Sequence, residues 1–293
     1  MGGKSSKCQK ADPLKISYIK KVDDVITCYN NIDDTQLTPN SQFRIASLTK
    51  IFTAVAILIA ERKGLLDIDD PVDKYCDFGL GDITIREVMN HKAGLYRSDT
   101  RPEGKEEEIK DLTEYVDLVI KERYPDGIID DAKARKRGNE AYSNLGYNIL
   151  GVILEKVTGM PWIEYETKEI IKPLHLKNTG MGMPNIPIYD MNSVELIDKK
   201  KWDSTTIIAS GGLYSSINDL TKFVTNVHTL DFDYDKFRSL YFWRRDGTIL
   251  EHTGKVPGGL SLIQVELKDK KVERIEMVLI NGREGDIIPR WKR

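Results

Sequence analysis

The sequence predicts an α+β fold: a mostly antiparallel sheet flanked by helices, with an all-helical subdomain inserted between its two sheet-forming stretches. Three observations carry that expectation. Short β-rich runs stand at both ends of the chain, at residues 14–20 and 25–29 and again at 241–244, 260–267 and 272–280. Helical sequence fills the middle, most strongly at residues 145–157 and 162–171. Neither an internal repeat nor a flexible linker divides the 293 residues. The layout that follows has residues 14–90 and 203–293 forming the sheet part, residues 91–202 the helical insertion and residues 1–13 a disordered leader.

Taken in order, residues 14–20 and 25–29 are joined by Lys21-Val22-Asp23-Asp24 and read as a hairpin. Residues 42–46 give a third strand, followed by the apolar run 51–60, which continues as a buried helix from Ser47 to a stop at Lys63-Gly64. The acids of Leu65-Leu66-Asp67-Ile68-Asp69-Asp70-Pro71-Val72 suit capping and turning rather than reaction. Residues 83–91 begin another helix that Gly94 ends, and residues 97–137 read as a helical, largely solvated insertion, densely charged at 103–111 and amphipathic at 112–120. The helix at 145–157 is capped at Gly159, and Pro173, Pro184 and Pro187 punctuate a loop region. Residues 205–213 are sheet-like and residues 216–228 helical, before the last three strand candidates.

Composition narrows the function. Hydrophobic residues at 40%, charged residues at 31% and a net charge of -2 describe an ordinary soluble globular chain with interleaved acids and bases, which argues against a nucleic-acid surface. The longest apolar run is about half the ~20 residues a bilayer span needs. Three cysteines, Cys8, Cys28 and Cys76, are odd in number and lack metal-binding spacing, which fits free thiols in a reducing compartment. The start lacks the apolar core of a secretory signal. Met1-Gly2-Gly3-Lys4-Ser5-Ser6-Lys7-Cys8 instead satisfies the N-myristoylation pattern, with Gly2 as acceptor. Cys8 as a palmitoylation site and the basic Lys4, Lys7 and Lys10 offer the second membrane signal that one acyl chain requires. The expectation is a cytoplasmic protein with acylation as its route to a membrane; a polar leader that happens to begin Met-Gly fits the same residues.

Chemistry concentrates in three places. Ser47 stands at the first turn of the apolar helix, where free N–H groups and the helix dipole favour developing negative charge, and Lys50 lies over the same face. A lysine kept from water there has its pKa pushed towards one useful for accepting a proton. The same spacing at Ser17 and Lys20 lies in strand-like sequence, where positions three apart face opposite ways. Ser47 as a plain helix cap beside a solvated Lys50 is the competing reading. Tyr142-Ser143-Asn144 precedes the helix at 145, so a phenol can pass protons and an amide can hold a carbonyl, or Asn144 caps and Tyr142 packs. His252-Thr253-Gly254 falls between two strand candidates, where a strand edge offers an N–H for an oxyanion and Gly254 permits close approach, or His252 is an exposed loop residue.

Together and in this order, these segments resemble the three signature elements of the class C β-lactamase and penicillin-binding family of serine hydrolases, with its esterase and D-peptidase relatives. Phe43-Arg44-Ile45-Ala46, Asn90-His91-Lys92-Ala93-Gly94-Leu95 and Ala209-Ser210-Gly211-Gly212-Leu213-Tyr214-Ser215-Ser216 are similar to further family segments, and the resemblance covers about residues 42–282. It implies a β-lactamase/transpeptidase-like fold and a Ser47 acyl-enzyme cleaving an amide, lactam or ester of a small or peptide-like substrate. Lys50 is then the base, Tyr142 the proton relay, and Asn144, His252, Thr253 and Gly254 the substrate-binding residues. The backbone N–H groups of Ser47 and Lys255 form the oxyanion hole. No cofactor is implied, and the four histidines show no close metal-ligand spacing. His252 stands where many relatives carry lysine, so with an unperturbed pKa of ~6.5 it is expected to make activity vary across pH 5 to 8. Both ends are short of the family's terminal helices, which leaves one sheet face open or covered by a partner or membrane. A membrane-anchored scaffold that keeps the fold without the chemistry is the competing function.

Overall fold

The computed structural model describes residues 16–97, 111–124, 137–190, 195–197, 208–244 and 246–282. Residues 1–13, including Gly2 and Cys8, lie outside them, as does much of the charged stretch 97–137.

The principal sheet brings the two ends of the described chain together. The hairpin β1 (Ile16–Val22) and β2 (Val25–Asn30) turns at Asp23, whose left-handed φ of 48° suits an Asp. After β3 (Phe43–Arg44), β4 (Gly180–Met181), β5 (Leu213–Ser215) and β6 (Trp243–Arg244), the chain forms a meander of β7 (Ile249–Val256), β8 (Gly259–Lys268) and β9 (Lys271–Gly282). β9 then pairs antiparallel with β1, giving the order β2-β1-β9-β8-β7-β6, while β3, β5 and β4 form a small second sheet. The antiparallel α+β architecture expected from the sequence is the one observed.

Helices pack on one face of this sheet. α1 (Thr49–Arg62) is buried from Thr49 through Ala60, so it is apolar all round and sits inside the molecule rather than on it. α2 (Ile85–Met89) begins with a capping box between Thr84 and Glu87. α3 (Leu112–Arg123) buries Leu112, Tyr115, Val116 and Val119, the docked face that the amphipathic pattern of residues 112–120 predicts. α4 (Asn144–Thr158) ends at Gly159 with φ 65°, a left-handed cap that glycine adopts without steric cost. α5 (Trp162–Glu166), α6 (Ile208–Gly211), α7 (Ile217–Asn226) and α8 (Tyr234–Arg238) follow. α1 contacts α4, α5, α6 and α8, and α7 lies against β1 and β9.

Two local expectations are corrected. Residues 208–211, read as sheet from their β-branched approach, form the helical turn α6 between α1 and α4, and only Leu213–Ser215 is strand. The opposite sheet face is not an open apolar surface, because Ile16, Leu260, Leu262, Val278 and Ile280 are all at most 5% exposed. Among the described residues no helix is long and apolar enough to cross a membrane.

Candidate active site

The site is assembled where the start of α1, the start of α4 and strand β7 converge. A short 3-10 turn, Ala46–Leu48, precedes α1. Ala46 has φ 48°, a left-handed conformation that costs a residue with a Cβ about 1–2 kcal/mol. That kink is held by Ile45, whose N–H donates to Leu213 O (3.1 Å) and whose carbonyl accepts from Ser261 Oγ (2.6 Å). Ser47 is delivered just past the kink and does not act as a cap, since no side-chain capping bond forms at that end of the helix.

Lys50 is 0% exposed, which removes the solvated alternative. Its Nζ donates to Ser47 Oγ at 3.2 Å, to Asn144 Oδ1 at 2.6 Å and to Ser210 O at 2.6 Å. Burial opposes the charge on Nζ while three acceptors favour it. Tyr142 OH donates to the same Ser47 Oγ at 2.7 Å, and Lys50 Nζ lies 4.9 Å from the Tyr142 ring centroid. The helix cap at α4 is Ser143, which accepts from Gly146 N–H at 3.0 Å, so Asn144 is left to face Lys50.

His252, Thr253 and Gly254 lie inside β7 rather than in a loop. Gly254 is required by packing: a Cβ there would stand 2.7 Å from Ser47 N and 2.6 Å from Ile45 O, closer than side chains approach backbone. The Glu251 N–H donates to Phe242 O, away from β8. Backbone donors alternate along a strand, so the Lys255 N–H points to that same edge, beyond the end of β6. Thr253 and Lys255 are exposed there.

His252 departs from its expected behaviour. It is half-buried by area, yet the rings of Phe242, Tyr241 and Tyr142 enclose it at 5.2, 5.6 and 6.5 Å. Burial, reinforced by the Lys50 charge and more weakly by Arg244, pushes its pKa down to about 3 against a bond with the Ser47 backbone that raises it. The imidazole is therefore neutral across pH 5 to 8, and the expected activity change from its titration in that range does not follow. Its Nε2 lies 3.4 Å from Tyr241 OH, too long for more than a weak bond.

Sequence reasoning missed three participants. Ser210 contributes a backbone carbonyl, an acceptor that every residue type carries, so the family-like segment 209–216 gives its place but not its role. Tyr241 and His91 join the ring cluster behind Tyr142, with His91 centroids 4.4 Å from Tyr142 and 4.3 Å from Tyr241. The segment 90–95 was singled out by resemblance, without a role for His91. Among the described residues no group of three His, Cys, Asp or Glu could hold a metal.

Comparison with known proteins agrees with the fold. The β-lactamase family model matches residues 25–265. The chain is 28% identical over 219 residues to a penicillin-binding protein of Bacillus subtilis (strain 168), covering 67% of this chain and 47% of that protein. It is 29% identical over 169 residues to protein flp of Staphylococcus aureus (strain NCTC 8325 / PS 47), covering 54% and 32% respectively. The matches thus span from about a third to about half the length of these curated relatives. The fold superposes on FmtA from Staphylococcus aureus with a TM-score of 0.70 at 22% identity, covering 92% of this chain and 78% of that one. It superposes equally, at TM-score 0.70 and 20% identity, on the D-amino acid amidase from Ochrobactrum anthropi SV3 complexed with L-phenylalanine amide, covering 92% and 87%.

Proposed function

This chain belongs to the β-lactamase family, and from that premise we propose that it is a serine hydrolase cleaving an amide, lactam or ester bond through a Ser47 acyl-enzyme. The observation that carries the reading is the convergence of two proton-handling groups on one hydroxyl: Lys50 Nζ at 3.2 Å and Tyr142 OH at 2.7 Å from Ser47 Oγ. A plain helix cap has no use for either. The reactive form is the one in which one of the two has given up its proton, so that it can take the proton from Ser47 as Oγ attacks the substrate carbonyl carbon. The C–O bond forms, the carbonyl π pair moves to oxygen, and the oxyanion is stabilised by the N–H groups of Ser47 and Lys255. Collapse expels the leaving group, which collects its proton from Tyr142. Water then attacks the acyl-enzyme with the same groups working in reverse.

Asn144 and Thr253 are proposed to hold the substrate amide or carbonyl, and Gly254 to keep β7 close enough for it to lie along the strand edge. A neutral His252 provides no cation for a substrate carboxylate, which favours esters and amides without an anionic group at that point.

Intact-protein mass spectrometry after incubation with a penicillin and with an activated ester tests the reading. An adduct on the native chain that is absent from Ser47→Ala is expected, and its lifetime separates turnover from trapping. No adduct with either compound from pH 5 to 9 overturns the proposal in favour of a scaffold that keeps the fold alone.

A further inference from the structure

We propose that His91 is a positioning residue for the Tyr142 phenol, bracketing the segment that carries it and fixing where the hydroxyl stands beside Ser47. The inference rests on the serine-hydrolase reading above.

Tyr142 belongs to no helix or strand; residues 137–143 run irregularly up to α4. Something must therefore hold its backbone. His91 does so on both sides: its carbonyl accepts from Ala141 N–H at 2.7 Å and its Nδ1 accepts from Ser143 N–H at 3.2 Å. Between these two bonds its ring packs on the Tyr142 ring at 4.4 Å, and Tyr241 and Tyr147 back it at 4.3 and 5.2 Å. The next contacts continue the strap, with Ser143 Oγ donating to Tyr96 O at 2.5 Å and Asn144 N–H to Arg97 O at 3.0 Å.

Packing alone does not account for a histidine at this place. His91 is 2% exposed, and its Nε2 has no hydrogen-bond partner, so an apolar ring would fill the space without burying an unmet polar atom. Its φ of 56° is a conformation that a residue with a Cβ adopts at a cost, and a glycine would relieve it. Glycine or an apolar ring would give up the Nδ1 acceptor for Ser143, and glycine the ring against Tyr142 as well. Because Nδ1 accepts, the proton of the neutral ring sits on Nε2. Burial, with the nearby Lys50 charge and His252, keeps the ring neutral by pushing its pKa well below the usual value, so the acceptor persists at working pH. Proton transfer needs the phenol within about 2.6–3.2 Å of its partner, and the Tyr142 OH to Ser47 Oγ distance is 2.7 Å.

The test is single-turnover acylation by an activated ester in His91→Ala and His91→Asn, each with and without Tyr142→Phe. His91→Ala is expected to slow acylation about ten- to hundredfold with half-saturation little changed, since a misplacement of about 1 Å costs on that scale. His91→Asn keeps an acceptor at the δ position and tolerates positive φ, so it recovers most of the rate. In the Tyr142→Phe background His91→Ala adds less than about twofold, because a residue acting through the phenol has nothing left to act on. Losses that multiply in the double variant, or an Asn variant as slow as Ala, overturn the proposal and leave His91 a residue of the fold. If His91→Ala does not fold, His91→Phe, which keeps a ring and lacks the acceptor, takes its place in the cycle. A wild-type chain that no ester acylates sinks the hydrolase reading itself, and this inference with it.

Discussion

At the scale of single residues, enclosure has decided protonation more than residue type has. His252 keeps the identity that made it look like a switch near neutral pH, but its folded pKa is about 3 while the unfolded chain titrates near ~6.5. The unfolded state therefore binds the proton first as pH falls. The contribution of His252 to stability is complete above pH ~6.5 and is lost progressively towards pH ~3. His91 acts with the same sign. Glu166, wholly buried with its carboxyl pushed well up by burial, acts with the opposite sign, since its folded form holds a proton that the unfolded chain releases. Only a difference between variants isolates one group. Thermal unfolding from pH 7 to 5 is expected to show a steeper loss in the native chain than in His252→Gln, over a range where ordinary carboxylates contribute little. Equal slopes in the two proteins would show that His252 titrates in the folded chain as it does in the unfolded one.

At the scale of elements, the site depends on how closely α4, α6 and α1 meet. Gly151 in the middle of α4 makes that possible: a Cβ there would stand 2.6 Å from the Ala209 Cβ on α6 and 2.7 Å from a Leu112 methyl on α3. Ala209 O in turn accepts from Thr53 Oγ1 on α1 at 2.8 Å, and the adjacent Ser210 O holds Lys50. Alanine is the better helix former by about 1 kcal/mol, whereas overpacking a tight core costs about 1–3 kcal/mol, so the clash wins. Gly151→Ala is expected to lower stability in chemical denaturation by up to about 2 kcal/mol and to slow acylation as α6 shifts the Ser210 carbonyl. A stability gain, as at an exposed helical glycine, would mean the three helices can part at no cost. The same elements separate what was legible in the sequence from what was not. α1 and α4 announced themselves by long apolar runs and glycine stops, whereas the places of Ser47, Lys50 and Tyr142 at helix starts left capping and packing open, and only the family resemblance joined them in one site. β7 did not, because His252, Thr253 and Gly254 interrupt its apolar pattern where the strand forms the site. α6 was hidden by its β-branched approach, and tertiary packing overrode that local preference. The left-handed Ala46 was invisible because alanine does not favour positive φ, and histidine favours it too weakly to mark His91.

At the scale of the molecule, length and core argue in opposite directions. A chain of 293 residues with sheet-rich ends and a helical middle suggests two units that unfold separately. However, one continuous hydrophobic cluster runs from Ile19 on β1 through all of α1, α3 and α4 to Met277 and Leu279 on β9. α1 is its centre, touching helices on every side and delivering Ser47 to the sheet. The site uses residues 47, 50, 142, 210 and 252 from segments far apart in sequence, so none of its parts survives loss of the shared core. Unfolding is therefore expected to be a single cooperative step for both layers. Fluorotryptophan labelling reads this directly, because Trp162 reports the helical layer and Trp243 the sheet edge in one sample. Coincident denaturant midpoints for the two signals, matching the loss of acylation, are the expected result. If Trp162 lost its native signal at clearly lower denaturant than Trp243, the helical middle would be a separate folding unit, and the site would then be open to regulation by melting that unit alone.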